Sequence, residues 1–500
     1  MLASGALSQH TRDSAMLSFV TVGESNESGS YAHPALAFAV VASAVGMSNL
    51  DLFVVNVALP AIGRYYSGSS LSSLSWILNG YAIIFAALLV PCGRIADRIG
   101  HRLGFLLGTG IFTLASAFCA VSPTVGWLVA ARVVQALGAA LLVPTSLALL
   151  MAATPAERRP AVVRGWTAVG GAAAAIGPVA GGLLTELDWR LVFLINLPVG
   201  VTCLLAGMRI LPRLGPSAET RLPDPVGTVL LIVAVGALAL GLVDADSWGW
   251  GSPAFLITIA IAIVAGILLV RRSTQHPSPL LEISLLRIGG FADATIAVTL
   301  FTTAFAIMLL SVVLWCQDVL GYSALITGLA VMPGPAMVPL LALAVGPLAK
   351  RVGGPAVVAA LGIAAFAVGL GLWTLLAHSA HSDYWTQILP GMLLTGVGVG
   401  LALPALIGSA ATVLPRNRFA TGTAVIQMAR QVGSVLGVAI LITILGSHSG
   451  LGSGVVTDYR AGWLTAIGAC ALSVVAALAS PRQSPRRIDV TVKVPEPEGK

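Results

Sequence analysis

Long apolar runs separated by short polar breaks fill this chain from about residue 35 to residue 480. Runs of eighteen residues or more recur along the whole length, enough for a helix to cross a bilayer. Ten-residue stretches of alternating polarity are missing, so the spans are helices and not strands of a barrel. Taking charged or Pro/Gly-rich breaks as boundaries, the pattern predicts helices near 35–61, 71–92, 103–121, 124–152, 160–185 and 190–211. Two more follow near 225–243 and 253–270, and a last group lies near 292–316, 325–349, 354–377, 384–412, 419–446 and 461–480. The expected fold class is therefore an all-α membrane protein with 14 transmembrane helices.

Composition supports this reading. Of 500 residues, 57% are hydrophobic and 9% charged, far below the charge content of soluble domains, and the mean hydropathy is +0.93. The first 33 residues are Ser-rich and polar with no apolar core, which describes a tail and not a cleavable signal. A net charge of +7 would suggest a nucleic-acid partner in a soluble protein. Here its distribution gives another cause. The even-numbered connections between spans carry sixteen Arg or Lys, and the odd-numbered ones only Arg64, Arg190 and Arg460. By the positive-inside rule both termini are expected in the cytoplasm, with no nucleic acid bound. Cys92, Cys119, Cys203, Cys316 and Cys470 stand singly, without metal-ligand spacing, and are expected to be structural thiols.

The chain repeats itself. Gly93-Arg94-Ile95-Ala96-Asp97-Arg98-Ile99-Gly100 is followed 253 positions later by Gly346-Pro347-Leu348-Ala349-Lys350-Arg351-Val352-Gly353. Arg159-Pro160-Ala161 matches Arg418-Phe419-Ala420 at a shift of 259. Similar shifts at two places imply a duplicated unit, the organisation of transporters whose halves rock about a central site. The expected division is a tail (1–33), an N-terminal six-helix bundle (34–213), linkers with two inserted helices (214–290), a C-terminal six-helix bundle (291–480) and a second tail (481–500). Two halves in one chain make a monomer sufficient for a complete pathway.

Asp51 is the only carboxylate placed deep in the predicted spans, where an ionised Asp costs about 2.5–3.5 kcal/mol. It requires a partner or a proton. At 1.5 Å per residue it lies about 15 Å inside the outer end of the first span, and Arg132 lies about 12 Å inside that of the fourth, so the two can share one depth. A static ion pair between two helices is the simpler reading of these residues; a protonation switch is the functional one.

Several segments carry a family resemblance. Gly93 to Arg102, read as a short loop between spans 2 and 3, resembles the signature loop of the major facilitator superfamily, with His101 at a position more often Arg or Lys. Leu50 to Pro60 is similar to the first-span motif of that superfamily's fourteen-span drug:proton antiporter branch, and Arg132 to Gly138 to its fourth-span motif. Gly177-Pro178-Val179-Ala180-Gly181-Gly182 resembles the antiporter motif of span 5, and Asp188 to Pro198 the outer end of span 6. The resemblance implies two six-helix bundles plus two extra central helices. It also implies proton coupling at Asp51 and Arg132, with inward proton flow driving substrate outward. Gly93, Asp97, Arg98, Gly100 and Arg102 would form a conformational latch, Asp97 meeting the start of span 13 near Thr421. Gly177, Pro178, Gly181 and Gly182 would seal spans of opposite halves, although ordinary small-residue packing explains them equally well. Asn56, Asn79, Tyr81, Gln135, Phe301, Phe305, Met308, Trp315, Gln317, Gln427, Arg430 and Gln431 are candidates for an amphipathic substrate cavity. Arg430 has no obvious acidic partner; Asp293 is the nearest, and backbone carbonyls or an anionic substrate group are the alternatives.

The expected function is proton-driven export of lipophilic or amphipathic small molecules such as drugs, dyes or antibiotics across a bacterial inner membrane. A dedicated exporter of a metabolite, peptide or siderophore is the alternative within the same class. A membrane-embedded lipid transferase would need clustered carboxylates at a membrane face. The close acidic pairs, Asp244 with Asp246 and Glu186 with Asp188, lie on the expected outer side without a His partner. No metal or cofactor is expected, and without a phosphate-binding loop the energy comes from the proton gradient and not from ATP.

Overall fold

The structure, a computed structural model, describes residues 34–155, 158–212, 224–376, 383–414, 418–446 and 453–479. Both expected tails and the linker residues Arg213 and Arg221, with Arg416, lie outside the described residues. The described chain is helical and contains fourteen helices long and apolar enough to span a membrane. In order, the first six are α1 (Ala35–Tyr65), α2 (Leu71–Ile99), α3 (His101–Ala120), α4 (Val125–Ala152), α5 (Val162–Leu187) and α6 (Leu191–Ile210). Next come α7 (Pro225–Trp248) and α8 (Pro253–Gln275). The last six are α9 (Phe291–Val319), α10 (Ala324–Val352), α11 (Pro355–Leu376), α12 (Tyr384–Ala410), α13 (Thr421–Gly446) and α14 (Gly454–Ala479).

Local chemistry sets many of the ends. Ser70, Thr124, Ser252 and Ser323 each accept the backbone N–H three residues on, capping α2, α4, α8 and α10. All four caps stand at the face opposite the Arg-rich connections, called here the far face; the other is the basic face. Two ends differ most from the sequence expectation, by seven residues each. The last helix begins seven residues earlier than 461, because Asp458 and Tyr459, which look like loop residues in sequence, are buried by packing. More consequentially, Gly93 to Arg102 is not a loop. α2 runs on through Asp97 to Ile99, and the break is the single residue Gly100 with φ 94°. Its counterpart Gly353 has φ 95°, so the repeated glycines share a positive φ that a side chain disfavours, although their ψ angles differ.

The packing repeats with the sequence. In the first unit α1 packs on α5 and α6, α4 on α2 and α3, and α3 on α6. Adding eight to each label gives the second unit: α9 on α13 and α14, α12 on α10 and α11, and α11 on α14. The units meet along two seams that the same operation exchanges, α5 with α10 and α2 with α13. Glycines make the packing within each unit close. A Cβ on Gly181 would lie 2.9 Å from Val54 Cα in α1, and one on Gly437 would collide with the Thr303 carbonyl in α9. The inserted α7 packs on α8 and lies across the α2–α13 seam, touching both units. All five cysteines are free and buried.

One face of α1 grades along its length. Ala39 and Ser43 are exposed, Gly46, Leu50 and Phe53 half-buried, and Val57 buried, at helical spacing. This side of α1 is therefore more exposed toward the basic face than toward the far face, while Gly46 and Phe53 lie against Val169 and Gly177 of α5.

The basic end of α7 is fixed by a buried carboxylate. Asp224 accepts the Gly227 N–H at 3.0 Å and both of its oxygens receive Arg272 Nε of α8, at 2.8 and 2.9 Å. Burial alone raises its pKa, but the Gly227 and Arg272 hydrogen bonds outweigh that and hold the carboxyl below its ordinary 3.8. A depressed folded-state value contributes stability above the ordinary value, lost as pH falls through the lower one. Asp224→Asn is therefore expected to lower the thermal midpoint of the detergent-solubilised protein at pH 7, with the gap to wild type closing below about pH 4. A gap that persists unchanged at pH 3 would contradict the assignment.

Candidate functional site

Among the described residues, the most buried charges form one network inside the first unit. Asp51 in the middle of α1 and Arg132 in α4 are both 0% exposed, with Arg132 Nη1 2.5 Å from Asp51 Oδ2. Three residues after Arg132, and so on the same helical face, Gln135 donates from Nε2 to Asp51 Oδ1 at 3.0 Å and accepts Arg132 Nη1 on Oε1 at 2.7 Å. Asn196 donates to the same Asp51 oxygen at 3.1 Å and to Ser116 Oγ of α3 at 2.9 Å. It can do so because α6 is interrupted at Ile195, which starts a fresh helical segment with Asn196 as its first residue. Ser116 in turn donates to the Phe193 carbonyl on the other side of that break.

Asp51 thus accepts three hydrogen bonds from three residues, an arrangement for an ionised carboxylate. The Arg132 guanidinium lies 4.2 Å from the centroid of the Tyr81 ring, and its Nε donates to the Ile77 carbonyl at 3.3 Å. Cation–π contact and hydrogen bonds together replace the water that the charge has lost. Sequence reasoning placed Asp51, Arg132, Gln135 and Tyr81 among the functional candidates, and the structure brings all four together. It missed Ser116 and Asn196. Asn196 carried a signal, as an amide inside an apolar span within a quoted motif; Ser116 carried none, since serines are common in membrane helices.

The remaining candidates separate by burial. Phe301 packs edge-on against Phe366, and Trp315 against Tyr459 and Trp463, so both are sealed within the second unit, with Met308 buried beside them. Asn79 is fully buried in α2 with neither amide atom bonded. Gln317 bridges the units, its Nε2 donating to the Val57 carbonyl of α1 at 2.9 Å. Asn56, Phe305, Gln427, Arg430 and Gln431 are half-buried, and only they have the partial access that lining an open cleft requires. Arg430 does not pair with Asp293; its Nη1 donates to Gln427 Oε1 at 2.7 Å. A separate cavity of about 250 Å³ at the far face, lined by Leu59, Arg64, Leu71 and Asp318 among others, does not reach Asp51.

At the basic face Asp97 is 41% exposed and lies 3.5 Å from His101, across the Gly100 break. In this conformation its partner is His101 and not the start of α13. Arg98 points outward, Arg102 donates to the Met208 carbonyl of α6, and Arg94 donates to Ser278 and to the Pro279 carbonyl after α8. The Gly177–Gly182 segment serves two contacts at once. Gly177 and Gly181 hold α5 on Phe53 and Val54 of its own unit, whereas Gly182 and the Pro178 carbonyl meet Ala324, Leu325 and Gly328 of α10 across the seam. Glu186 extends that seam by accepting the Leu325 N–H at 3.3 Å.

Comparison with known proteins fits this geometry. The Major Facilitator Superfamily description matches residues 41–438 and again 339–497. A methylenomycin A resistance protein of Bacillus subtilis (strain 168) is 33% identical over 402 residues, covering 80% of this chain and 85% of its own length. A tetracenomycin C resistance and export protein of Streptomyces glaucescens is 33% identical over 435 residues, covering 86% and 79%. Multidrug resistance protein Stp of Mycobacterium tuberculosis is 33% identical over 412 residues, covering 81% and 75%. Among solved structures, the POT family transporter PepTSo superposes with a TM-score of 0.62 over 90% of this chain and 99% of its own, at 16% identity, which establishes likeness of fold alone. This chain belongs to the Major Facilitator Superfamily, as a multi-pass membrane protein with two six-helix units and two inserted helices.

The seam contacts generate a prediction. A Cβ on Gly182 would lie 2.5 Å from the Ala324 carbonyl oxygen, so Gly182→Leu must push α5 and α10 apart at the far face. A cysteine introduced at Val57 is expected to react with an impermeant maleimide at least tenfold faster in that background (about 1.4 kcal/mol in opening). Gly236→Leu, which faces open space, is the control and should change nothing.

Proposed function

We propose that this protein is a proton-coupled antiporter that exports lipophilic or amphipathic compounds across a bacterial cytoplasmic membrane, with its basic face and both termini inside. The observation that carries the coupling is the sealed Asp51 site, whose carboxylate holds three donors and has no contact with solvent. The relatives named for methylenomycin, tetracenomycin and multidrug resistance support the cargo and the direction. Transport, not catalysis, is the activity, and no cofactor beyond the proton gradient is needed.

With the basic face cytoplasmic, we read the exposed basic-side half of α1 as the wall of a cleft open inward, with the α5–α10 seam closing the outside. A compound from the cytoplasm or inner leaflet enters while Asp51 is ionised and bound to Arg132. In the outward-open state, movement of α1 against α4 and α6 frees Asp51 from part of its donor set and lets it take a proton from outside. Return to the inward state restores the donors and expels the proton into the cytoplasm. Asp97, beside His101 while the basic face is open, latches that face when it closes, and the Gly177–Gly182 segment seals the far face meanwhile. One inward charge contributes about 2.3 kcal/mol per 100 mV, which suffices for accumulation.

Asp51→Asn keeps the shape and an acceptor for Arg132 but removes the titration. It is expected to abolish drug-induced proton release from proteoliposomes while the protein still folds; release at the wild-type rate would exclude the coupling role. A second reading, export of one dedicated compound, is favoured by relatives named for single antibiotics. Minimum inhibitory concentrations in a pump-deficient host decide: multidrug export raises several unrelated ones fourfold or more, all lost in Asp51→Asn, whereas a dedicated exporter raises one.

A further inference from the structure

Among the described residues, three charged side chains stand at least seven residues from either end of their membrane helices: Asp51, Arg132 and Arg430. The first two neutralise each other. Arg430 of α13 makes no ion pair, has one hydrogen bond to Gln427, and keeps its Nε buried without a partner. An uncompensated guanidinium at this depth is costly, and such residues face the bundle interior or a water-filled cavity.

Its surroundings specify which. Thr423, Gln427, Arg430, Gln431 and Ser434 are all half-exposed and recur at helical spacing, so α13 presents a continuous polar stripe. Lipid would reject that stripe; it borders the cleft. Close packing of α13 is carried by other residues, since Gly433 and Gly437 lie against Thr299, Thr302 and Thr303 of α9. Toward the basic face from those glycines, α9 contributes the half-buried Thr295 and Thr299. In the first unit the neutral amides Asn49 and Asn56 are half-buried, and each donates to its own helix backbone.

We infer that Arg430 recognises an anionic group, a carboxylate or phenolate, on the otherwise apolar compound that this cleft carries, with the Gln427 and Gln431 amides on either side completing the contact. This assignment rests on the export reading above and narrows it from amphipathic compounds to amphipathic organic acids. A guanidinium offers five donors in a planar fork suited to an oxyanion, and here one is committed to Gln427. The same uncompensated charge disfavours a cationic amphiphile of equal size.

The test uses the full-length protein and three radiolabelled probes on one polycyclic aromatic skeleton: a carboxylic acid, its methyl ester and a quaternary ammonium analogue. Equilibrium binding in detergent, without a gradient, is expected to favour the acid over the ester by at least tenfold and over the cation by more. Arg430→Gln should remove that preference while ester binding stays within twofold, and Arg430→Lys should restore part of it. Equal binding of acid and ester by wild type, failure of the acid to bind, or an equal loss of both in Arg430→Gln would overturn the assignment, the last marking a purely architectural arginine. Gradient-driven efflux in proteoliposomes is read separately. Export of ester and acid alike leaves the exporter and sinks the anion site; acid-selective binding with no efflux of any probe sinks the exporter reading and retains the site.

Discussion

An ion pair in the middle of a membrane protein needs partners in place of the water it has lost, and here all but the Nη2 of Arg132 find one. The Asp51–Arg132 contact at 2.5 Å is surrounded on that principle: Gln135 and Asn196 fill the second carboxylate oxygen, and Tyr81 covers the guanidinium face. Breaking one partner of such a pair costs about 3–5 kcal/mol because the other charge is stranded. That cost gives the site its leverage. In the proposed antiport cycle, a helix movement that withdraws one donor is the step that opens Asp51 to a proton.

The rest of the first unit is built to hold this network. α1 supplies the acid, α4 the base and its amide, α3 the serine, and α6 breaks at Ile195 so that Asn196 can reach in. Glycines at 177 and 181 draw α5 against α1 on the flank of that network, while Gly182 carries the same helix onto the other unit. One six-residue segment therefore links the charged core to the seam that closes the far face. Arg430 on α13 has no such retinue. The contrast is between a charge neutralised by an ion pair in one unit and one without an ion pair in the other, and the proposed division of labour, coupling in the first unit and substrate contact in the second, follows from it.

The fold was legible because its signal is local. An apolar run between charged breaks is enough to mark a membrane helix, and most of the fourteen segments match their expected ranges to within a few residues. The errors arose where polar residues enter helices. Asp458 and Tyr459 look like loop residues until packing buries them, and Arg94 to Ile99 look like a loop because their charges cluster at a membrane face, although the helix ends only at Gly100. The pairing of Asp51 with Arg132 was legible too, since two opposite charges at one depth in hydrocarbon have little choice but each other.

Partners that depend on which helices are neighbours were not legible. Ser116 and Asn196 join the site only because α6 packs against both α3 and α1, and Phe301 and Trp315 fall inside the second unit because α9 turns them toward α11 and α14. Sequence by itself determined the number of spans, the duplication, the charge asymmetry between the two faces and the identity of the buried ion pair, because each follows from hydropathy or from the cost of charge in lipid. Tertiary structure alone decided which polar side chains complete that pair, which aromatic candidates are walled off from the cleft, and that Arg430 stands unpaired, because those outcomes depend on helix rotation about its own axis, which a pattern of apolar residues on every side does not encode.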